Sequence, residues 1–327
     1  MAPEPDIDWI IENLELLTTE IDGIVKAGGE IETEFRAMTV LKLAVVAATV
    51  DIYSKVAMDK FERCYYIDAL AGAGVTRLRN HDEYVLGSPI VAPLVARDEF
   101  FENHFVEFNS KRAQALNNRL EYVSSLSTID YPYKDCVVHD GQDCNEVIPS
   151  IVDSIRSQNP KDGMTGVNLL TIVDNSGVDA DWEMVKSVAD VWGDLLITFP
   201  ATRISSNRGK WVNEGREDKA EENDIFFGTT EWRKCDTEQE YLQLYCERLE
   251  SLPEVERLTR TIEVHSGPGG GRFYYPLIYC TRKTSGGSPY TNAIEFFKER
   301  MERLDGSDVT SAIDLFLGEQ SDLDEWT

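Results

Sequence analysis

Residues 65–74 read Tyr-Tyr-Ile-Asp-Ala-Leu-Ala-Gly-Ala-Gly, an apolar run closed by Asp68 and followed by two glycines one residue apart. A run apolar at successive positions fits a strand covered on both faces, the usual condition of a parallel strand. Gly72 and Gly74 beyond it permit a tight turn that brings the main chain close to a ligand, where a Cβ would collide. In a doubly wound α/β sheet such a turn, with Ala71 at its start, is where nucleotide-like cofactors bind. Asp68 is placed to hold a ligand's ammonium group. The third glycine of the dinucleotide fingerprint is missing, so a nicotinamide cofactor fits poorly.

Three further clusters could share that ligand. Glu107 interrupts the apolar run His104-Phe-Val-Glu-Phe108, and an acid at a strand end can accept hydrogen bonds from two ribose hydroxyls. In Asp140-Gly-Gln-Asp143-Cys144-Asn145, Asp143 could accept an adenine amino group while the Cys144 amide reaches a ring nitrogen. Asp140 competes for the same role, and spacing does not choose between them. After a later strand, Asp174-Asn175-Ser176-Gly177 offers a carboxylate to hold or deprotonate a substrate and two hydrogen-bond donors beside it. Arg77 and Arg79, with His81, form a small basic cluster after the glycine turn that could meet substrate.

The elements that must position these groups alternate. Strand-like runs at 64–68, 104–108, 136–139, 168–173 and 194–199 are separated by helical segments at 111–125, 146–155 and 182–189. That alternation implies a mainly parallel sheet with right-handed crossovers. Residues 1–62 read as a helical N-terminal extension, 63–300 as the α/β domain and 301–327 as an acidic C-terminal tail. Val75 to Gly87 reads as a charged loop, and the polar stretch at about 201–236 as an insertion that is loop-like over 201–224. Thr237-x-x-Glu240 is a capping box for a helix. Arg260–His265 and Phe273–Thr281, joined by Gly267-Pro-Gly-Gly-Gly271, form a hairpin. Five βα units ending in an antiparallel hairpin predict a Rossmann-like class I methyltransferase fold, and with it S-adenosylmethionine as cofactor.

Composition narrows the setting. The formal net charge of -27 is spread along the chain, which predicts a halophilic solubility strategy: a dense carboxylate surface whose repulsion high salt screens. Such a surface repels nucleic acid at low salt but not at molar salt, so nucleic acid stays among the candidate acceptors. Six cysteines without CxxC spacing or attendant histidines predict reduced thiols and no metal site. The acidic N-terminus lacks an apolar signal region, and the most apolar window, Leu41 to Ile52, is broken by Lys42 and Asp51. The expected setting is cytoplasmic, with no membrane partner.

Taken in order, several motifs resemble the three-Cys-motif partner proteins. They are Tyr66-Ile-Asp-Ala-Leu-Ala-Gly-Ala-Gly74, Leu86-Gly-Ser-Pro89, Phe105-Val-Glu-Phe108, Asp143-Cys-Asn145, Ile197-Thr-Phe-Pro200 and Phe226-Phe-Gly228 with Trp232. The likeness runs from about residue 35 to 300. It implies an S-adenosylmethionine-dependent methyltransferase working with a separate protein that carries a three-cysteine motif, plausibly a radical enzyme. It also implies that Arg203, Asn207 and Arg208, after the Phe-Pro pair, belong to a polar loop able to meet a phosphate or carboxylate. The chain departs from the family where Asp174-Asn-Ser-Gly177 replaces an Asp-Pro-Phe-Gly type of turn and where Thr198 replaces Asn. Both departures fall on the side of a methyl acceptor, so a cofactor-binding scaffold without turnover is the alternative reading.

Overall fold

The computed structural model describes residues 7–79, 81, 83–127, 135–158, 166–265, 274–283 and 289–318. Helix α1 (Ile7–Leu17) buries Ile10, Leu14 and Leu17, which recur at helical spacing, and α2 (Ile21–Ala27) follows it. A short strand, β1 (Thr33–Phe35), leads into α3 (Thr39–Ala57). Helix α3 is apolar around most of its girth and correspondingly buried, packing against neighbours on several sides. It is part of the layered core rather than an appendage to it.

Strand β2 (Arg63–Asp68) begins the main sheet and is buried from Cys64 onward. Val75 to Gly87, expected as a loop, instead contains β3 (Val75–Leu78) and β4 (Glu83–Leu86). They pair antiparallel with each other, and β3 pairs parallel with β1, giving a separate three-stranded sheet. The charged residues that mark this stretch, Arg77 and Arg79, pair with Glu32 and Glu34 at β1, so polarity here marks the half-exposed side chains of a small, otherwise largely buried sheet rather than a loop.

The α/β units then follow closely: α4 (Ser88–Val95), β5 (Glu102–Glu107), α5 (Ser110–Ser125), β6 (Cys136–Asp140), α6 (Cys144–Gln158), β7 (Val167–Val173), α7 (Trp182–Ala189) and β8 (Gly193–Thr198). Asn109 caps α5, its Oδ1 accepting from the amides of Lys111 (3.0 Å) and Arg112 (3.3 Å). The polar stretch from Ala201 to Asp224 is helical, in α8 (Ala201–Glu214) and α9 (Glu217–Phe227). Buried Asn207 joins the two by donating to Glu222 and Asn223. Apolar spacing there is weak because the buried contacts of these helices are partly polar.

Helix α10 (Glu238–Glu250) opens with the expected capping box at Thr237 and Glu240. Strands β9 (Arg257–His265) and β10 (Tyr274–Arg282) pair antiparallel; the glycine-rich connection expected between them lies outside the described residues. Helix α11 (Pro289–Met301) follows, and α12 (Gly306–Phe316) packs Val309, Ala312 and Ile313 inward beside α1. The segment expected as an acidic tail thus contributes to the core.

The main sheet has the order β6-β5-β2-β7-β8-β10-β9, parallel except for β10, which lies antiparallel to both neighbours. This is a mixed α/β, Rossmann-like topology. Alternate residues serve two helix layers: Tyr66 and Phe105 pack with α1, α3, α4 and α5, whereas Tyr65, Ile67 and Val106 pack with α6 and α7. The strand order reverses at β2, where the chain runs outward through β5 and β6 and then returns to β7. The carboxyl end of β2 is therefore the topological switch point of the sheet.

The turn at this point depends unequally on its two glycines. Gly72 has φ +67°, and a Cβ there would have only the Thr33 hydroxyl at 3.8 Å. Gly74 has φ +81°, and a Cβ would lie 2.8 Å from Leu116 Cδ1 and 3.3 Å from Ile90 Cδ1 in the packed core. Both Gly72→Ala and Gly74→Ala should destabilise by about 1–3 kcal/mol through the left-handed backbone. Chemical denaturation should find Gly74→Ala the more costly by about 1 kcal/mol, since core packing resists the added atom.

Candidate functional site

Two adjoining cavities open at the switch point. The first, about 380 Å³, runs along Leu70–Val75 and is walled by Thr33, Ser88, Glu107, Phe108, Arg112 and Asp179. The second, about 490 Å³, lies between β1, the start of α3 and the end of β8. Phe35, Thr39, Lys42, Asp174 and Ser176 border both.

At their junction Lys42 Nζ lies 2.5 Å from Asp174 Oδ2, with both side chains largely buried. Thr198 Oγ1 donates to the other carboxylate oxygen at 2.8 Å, and the Phe35 ring centroid is 5.1 Å from the ammonium. Asp174 is thereby fixed by two elements distant in sequence, α3 and β8. Sequence reasoning missed Lys42, treating it only as an interruption of an apolar window. The signal was present: a lone cation in a helix buried on most sides requires a buried partner.

The neighbours of Asp174 divide. Asn175 donates to the Thr198 carbonyl (3.3 Å) and accepts from the Ala180 amide (3.1 Å). Asn175 lines the second cavity, but its side chain is committed to these backbone groups and shapes the loop after β7. Ser176 borders both cavities and donates to Asp179 Oδ2 at 3.3 Å.

Asp68 needs a similar correction. It lies fully buried beneath the turn rather than on the cavity wall, so it cannot hold a ligand's ammonium directly. The Ser88 hydroxyl, the Leu70 amide and the Tyr66 hydroxyl donate to it. Burial, reinforced by the charge of Asp174, pushes its carboxyl up to about 7 against the opposing pull of those donors. Its role is to tie the start of α4 to the turn. Ala71, Gly72 and Gly74 do line the first cavity, as does Glu107, whose Oε1 accepts from the Asn109 amide at 2.7 Å.

The residues expected around an adenine ring lie elsewhere. Asp143 stands before α6 and accepts from the Asn145 amide at 2.9 Å, the geometry of a helix cap. Cys144 is buried, and burial pushes its thiol up to about 12. Neither residue lines the first cavity, and neither does Asp140, so the spacing alternatives both give way. Phe108, 71% exposed, and Arg112 lie on the wall instead. A solvent-facing aromatic directly after Glu107 could have been suspected, but its exposure is decided by the fold.

The arginines also separate. Arg79 and Arg203 line the second cavity. Arg77 faces Glu32 away from both cavities, and Arg208 pairs with Asp236 at 2.6 Å beside α10. The turn itself is secured from behind by Arg119, a fully buried residue of α5. It donates to the carbonyls of Ala73 (2.6 Å), Ile24 (3.2 Å) and Gly29 (3.2 Å).

No protein-family model and no curated protein matches this chain. Among solved structures, it is similar to a Legionella pneumophila protein at 11% identity and a TM-score of 0.45, covering 80% of this chain and 92% of that one. It is also similar to the methyltransferase domain of a bacterial Hen1 protein, at 10% identity and 0.36, covering 74% and 97%. Precorrin-8w decarboxylase from Methanobacterium thermoautotrophicum follows at 9% and 0.30, covering 70% and 89%. Values this low assign no role to any residue, and the site is read from its own chemistry. Among the described residues, no helix is long and apolar enough to cross a membrane.

Two measurements check this electrostatic arrangement. Lys42→Met leaves the Asp174 carboxylate enclosed with Thr198 alone and should cost about 1–3 kcal/mol. In a double-mutant cycle, adding Asp174→Leu should recover part of that loss, whereas strict additivity would show that the pair does not interact. For Asp68, the folded state retains a proton that the unfolded chain releases near its ordinary value of about 4. Its contribution to stability is therefore full below that pH and declines as pH rises to about 7, then stays constant. Relative to the parent protein, Asp68→Asn should gain stability across that window and no further above it, as read by urea denaturation from pH 4 to 9.

Proposed function

We propose that this chain is an S-adenosylmethionine-dependent methyltransferase of the class I fold. The observation that carries the reading is the meeting of two cavities at Asp174: one along a glycine turn with an acid on its wall, the other largely apolar. A cofactor and an acceptor would occupy separate chambers that share one polar junction. The sheet order, with β10 inserted antiparallel between β8 and β9, supports the same reading. A dinucleotide is disfavoured because a β-hairpin follows the turn where the fingerprint requires its third glycine and a helix.

The first cavity fits the cofactor chemically. Glu107 uses one oxygen on the Asn109 amide, and a carboxylate has further acceptor capacity for a ribose diol. The Gly72–Gly74 main chain would border the amino-acid portion, and Phe108 offers an exposed ring for a purine. When bound, S-adenosylmethionine supplies an electrophilic methyl group on a sulfonium, whose leaving electron pair stays on sulfur.

The chain contributes position. Lys42 and Thr198 hold Asp174 rigidly, and Asp174 accepts an N–H or O–H of the acceptor so that its lone pair faces the first cavity. The proton passes to Asp174 or to water as the new bond forms. Phe35 and the apolar wall of the second cavity limit water at the junction.

One specific observation favours the scaffold reading: both oxygens of Asp174 already have partners, and Asn175 is committed to the backbone. The proposal retains the three-cysteine-motif partner that the motif resemblance implies, and an assay in high salt suited to the acidic surface.

Calorimetry in molar KCl should give saturable S-adenosylmethionine binding, weakened about tenfold or more by Glu107→Ala, and no binding of NAD. Absence of S-adenosylmethionine binding would overturn the reading. With a methyl-labelled cofactor and an extract of the source cells as the acceptor pool, Asp174→Asn should lower incorporation about tenfold or more while cofactor affinity persists. Binding with no incorporation by the parent protein would support the scaffold instead.

A further inference from the structure

Charge is distributed unevenly over the cavities. The second cavity is bordered by four cationic side chains, Arg36, Lys42, Arg79 and Arg203, against two carboxylates, Glu34 and Asp174. The first cavity has two cations against three carboxylates. A third, at the amino ends of the central strands, has one against five. In a chain of net charge -27, a positive cavity runs against the overall field and marks a ligand of the opposite sign.

Two of these cations, Arg79 and Arg203, are also available. Lys42 is committed to Asp174, but Arg79 meets Glu34 only at 3.5 Å, with both side chains 49% exposed, and an exposed pair of this kind holds weakly. Arg203 has no ion-pair or hydrogen-bond partner for its side chain among the described residues. A guanidinium presents a planar fork of donors that suits carboxylate and phosphate oxygens. The same cavity has an apolar lining, to which Phe35, Met38, Phe199 and Pro200 contribute.

We propose that the second cavity takes a small anionic acceptor: an aromatic or apolar body against the Phe35–Pro200 wall, with its acidic group held by Arg203 and Arg79. This rests on the methyltransferase reading and names the class of its substrate. The acceptor is a small acid rather than a polymer, because a cavity of about 490 Å³ has the size of a small-molecule site. A cationic amine, such as a lysine side chain, is excluded by the same arginines.

The test measures binding without cofactor, using matched pairs of probes: benzoate against benzamide, and uridine monophosphate against uridine. The anionic member of at least one pair should bind about tenfold or more tightly, with the preference falling as salt rises. The benzoate and nucleotide arms distinguish a carboxylate from a phosphate. Arg203→Gln should abolish most of that preference, Arg203→Lys should retain part of it, and Arg79→Gln should reduce it. Cofactor affinity serves as the folding control.

Equal binding of charged and neutral members, or a preference unchanged in Arg203→Gln, would overturn the proposal. So would tighter binding of a single-stranded oligonucleotide than of the mononucleotide. A charge preference found without S-adenosylmethionine binding would instead leave the cavity assignment standing and remove the methyltransferase reading.

Discussion

The ammonium of Lys42 and the carboxylate of Asp174, 2.5 Å apart, connect a helix from the first sixth of the chain to the loop after the fourth parallel strand of the main sheet. Few positions in a buried helix admit a cation, and each must be matched, because an enclosed charge without a partner is expensive. That requirement adds to the apolar burial of α3 in setting its orientation over the sheet, with β1, just before it, beside the glycine turn. The junction of the two cavities and the position of Asp174 thus depend on this electrostatic match. Removing it would leave the sheet order intact while loosening the part that gives the crevice its shape.

Around this junction, polar groups are assigned to distinct tasks by burial. Asp68 and Glu107 both end parallel strands, but only Glu107 reaches a cavity. Asp68 lies beneath the turn, where enclosure makes it costly to ionise and where Ser88, Leu70 and Tyr66 employ it as an acceptor. Arg119 acts from the other side, exchanging hydration for backbone carbonyls of α2, its following loop and the turn. The cavity-lining main chain is therefore braced by groups set behind it, which is how a turn of small residues can hold one shape.

The charge distribution has two scales. Acidic residues dispersed over the surface set the long-range field, which salt screens over a distance of roughly 3–10 Å. The second cavity departs from that field locally, and the departure is concentrated on Arg36 just after β1 with Lys42 in α3, Arg79 just after β3 and Arg203 in α8, three segments far apart in sequence. Composition alone could only describe the whole molecule as acidic. The positive cavity exists because three separate segments converge there.

The sequence alone determined the main sheet and the glycine turn at its switch point. Runs such as Tyr65-Tyr66-Ile67 and Leu169-Leu170-Thr171-Ile172 identify doubly covered strands, and Asn109 and the Thr237–Glu240 box mark helix starts, because these signals are local. It also singled out Gly72, Gly74 and Glu107, each tied to a strand end. Elements whose burial is partly polar were not legible: β3 and β4 looked like a loop, and α8 and α9 like an insertion. Only the tertiary structure decided that Asp68 lies under the turn, that Asp143 caps a helix and that Lys42 meets Asp174. Those outcomes depend on which side of a chain is covered by residues remote from it, and neighbouring sequence carries no record of that.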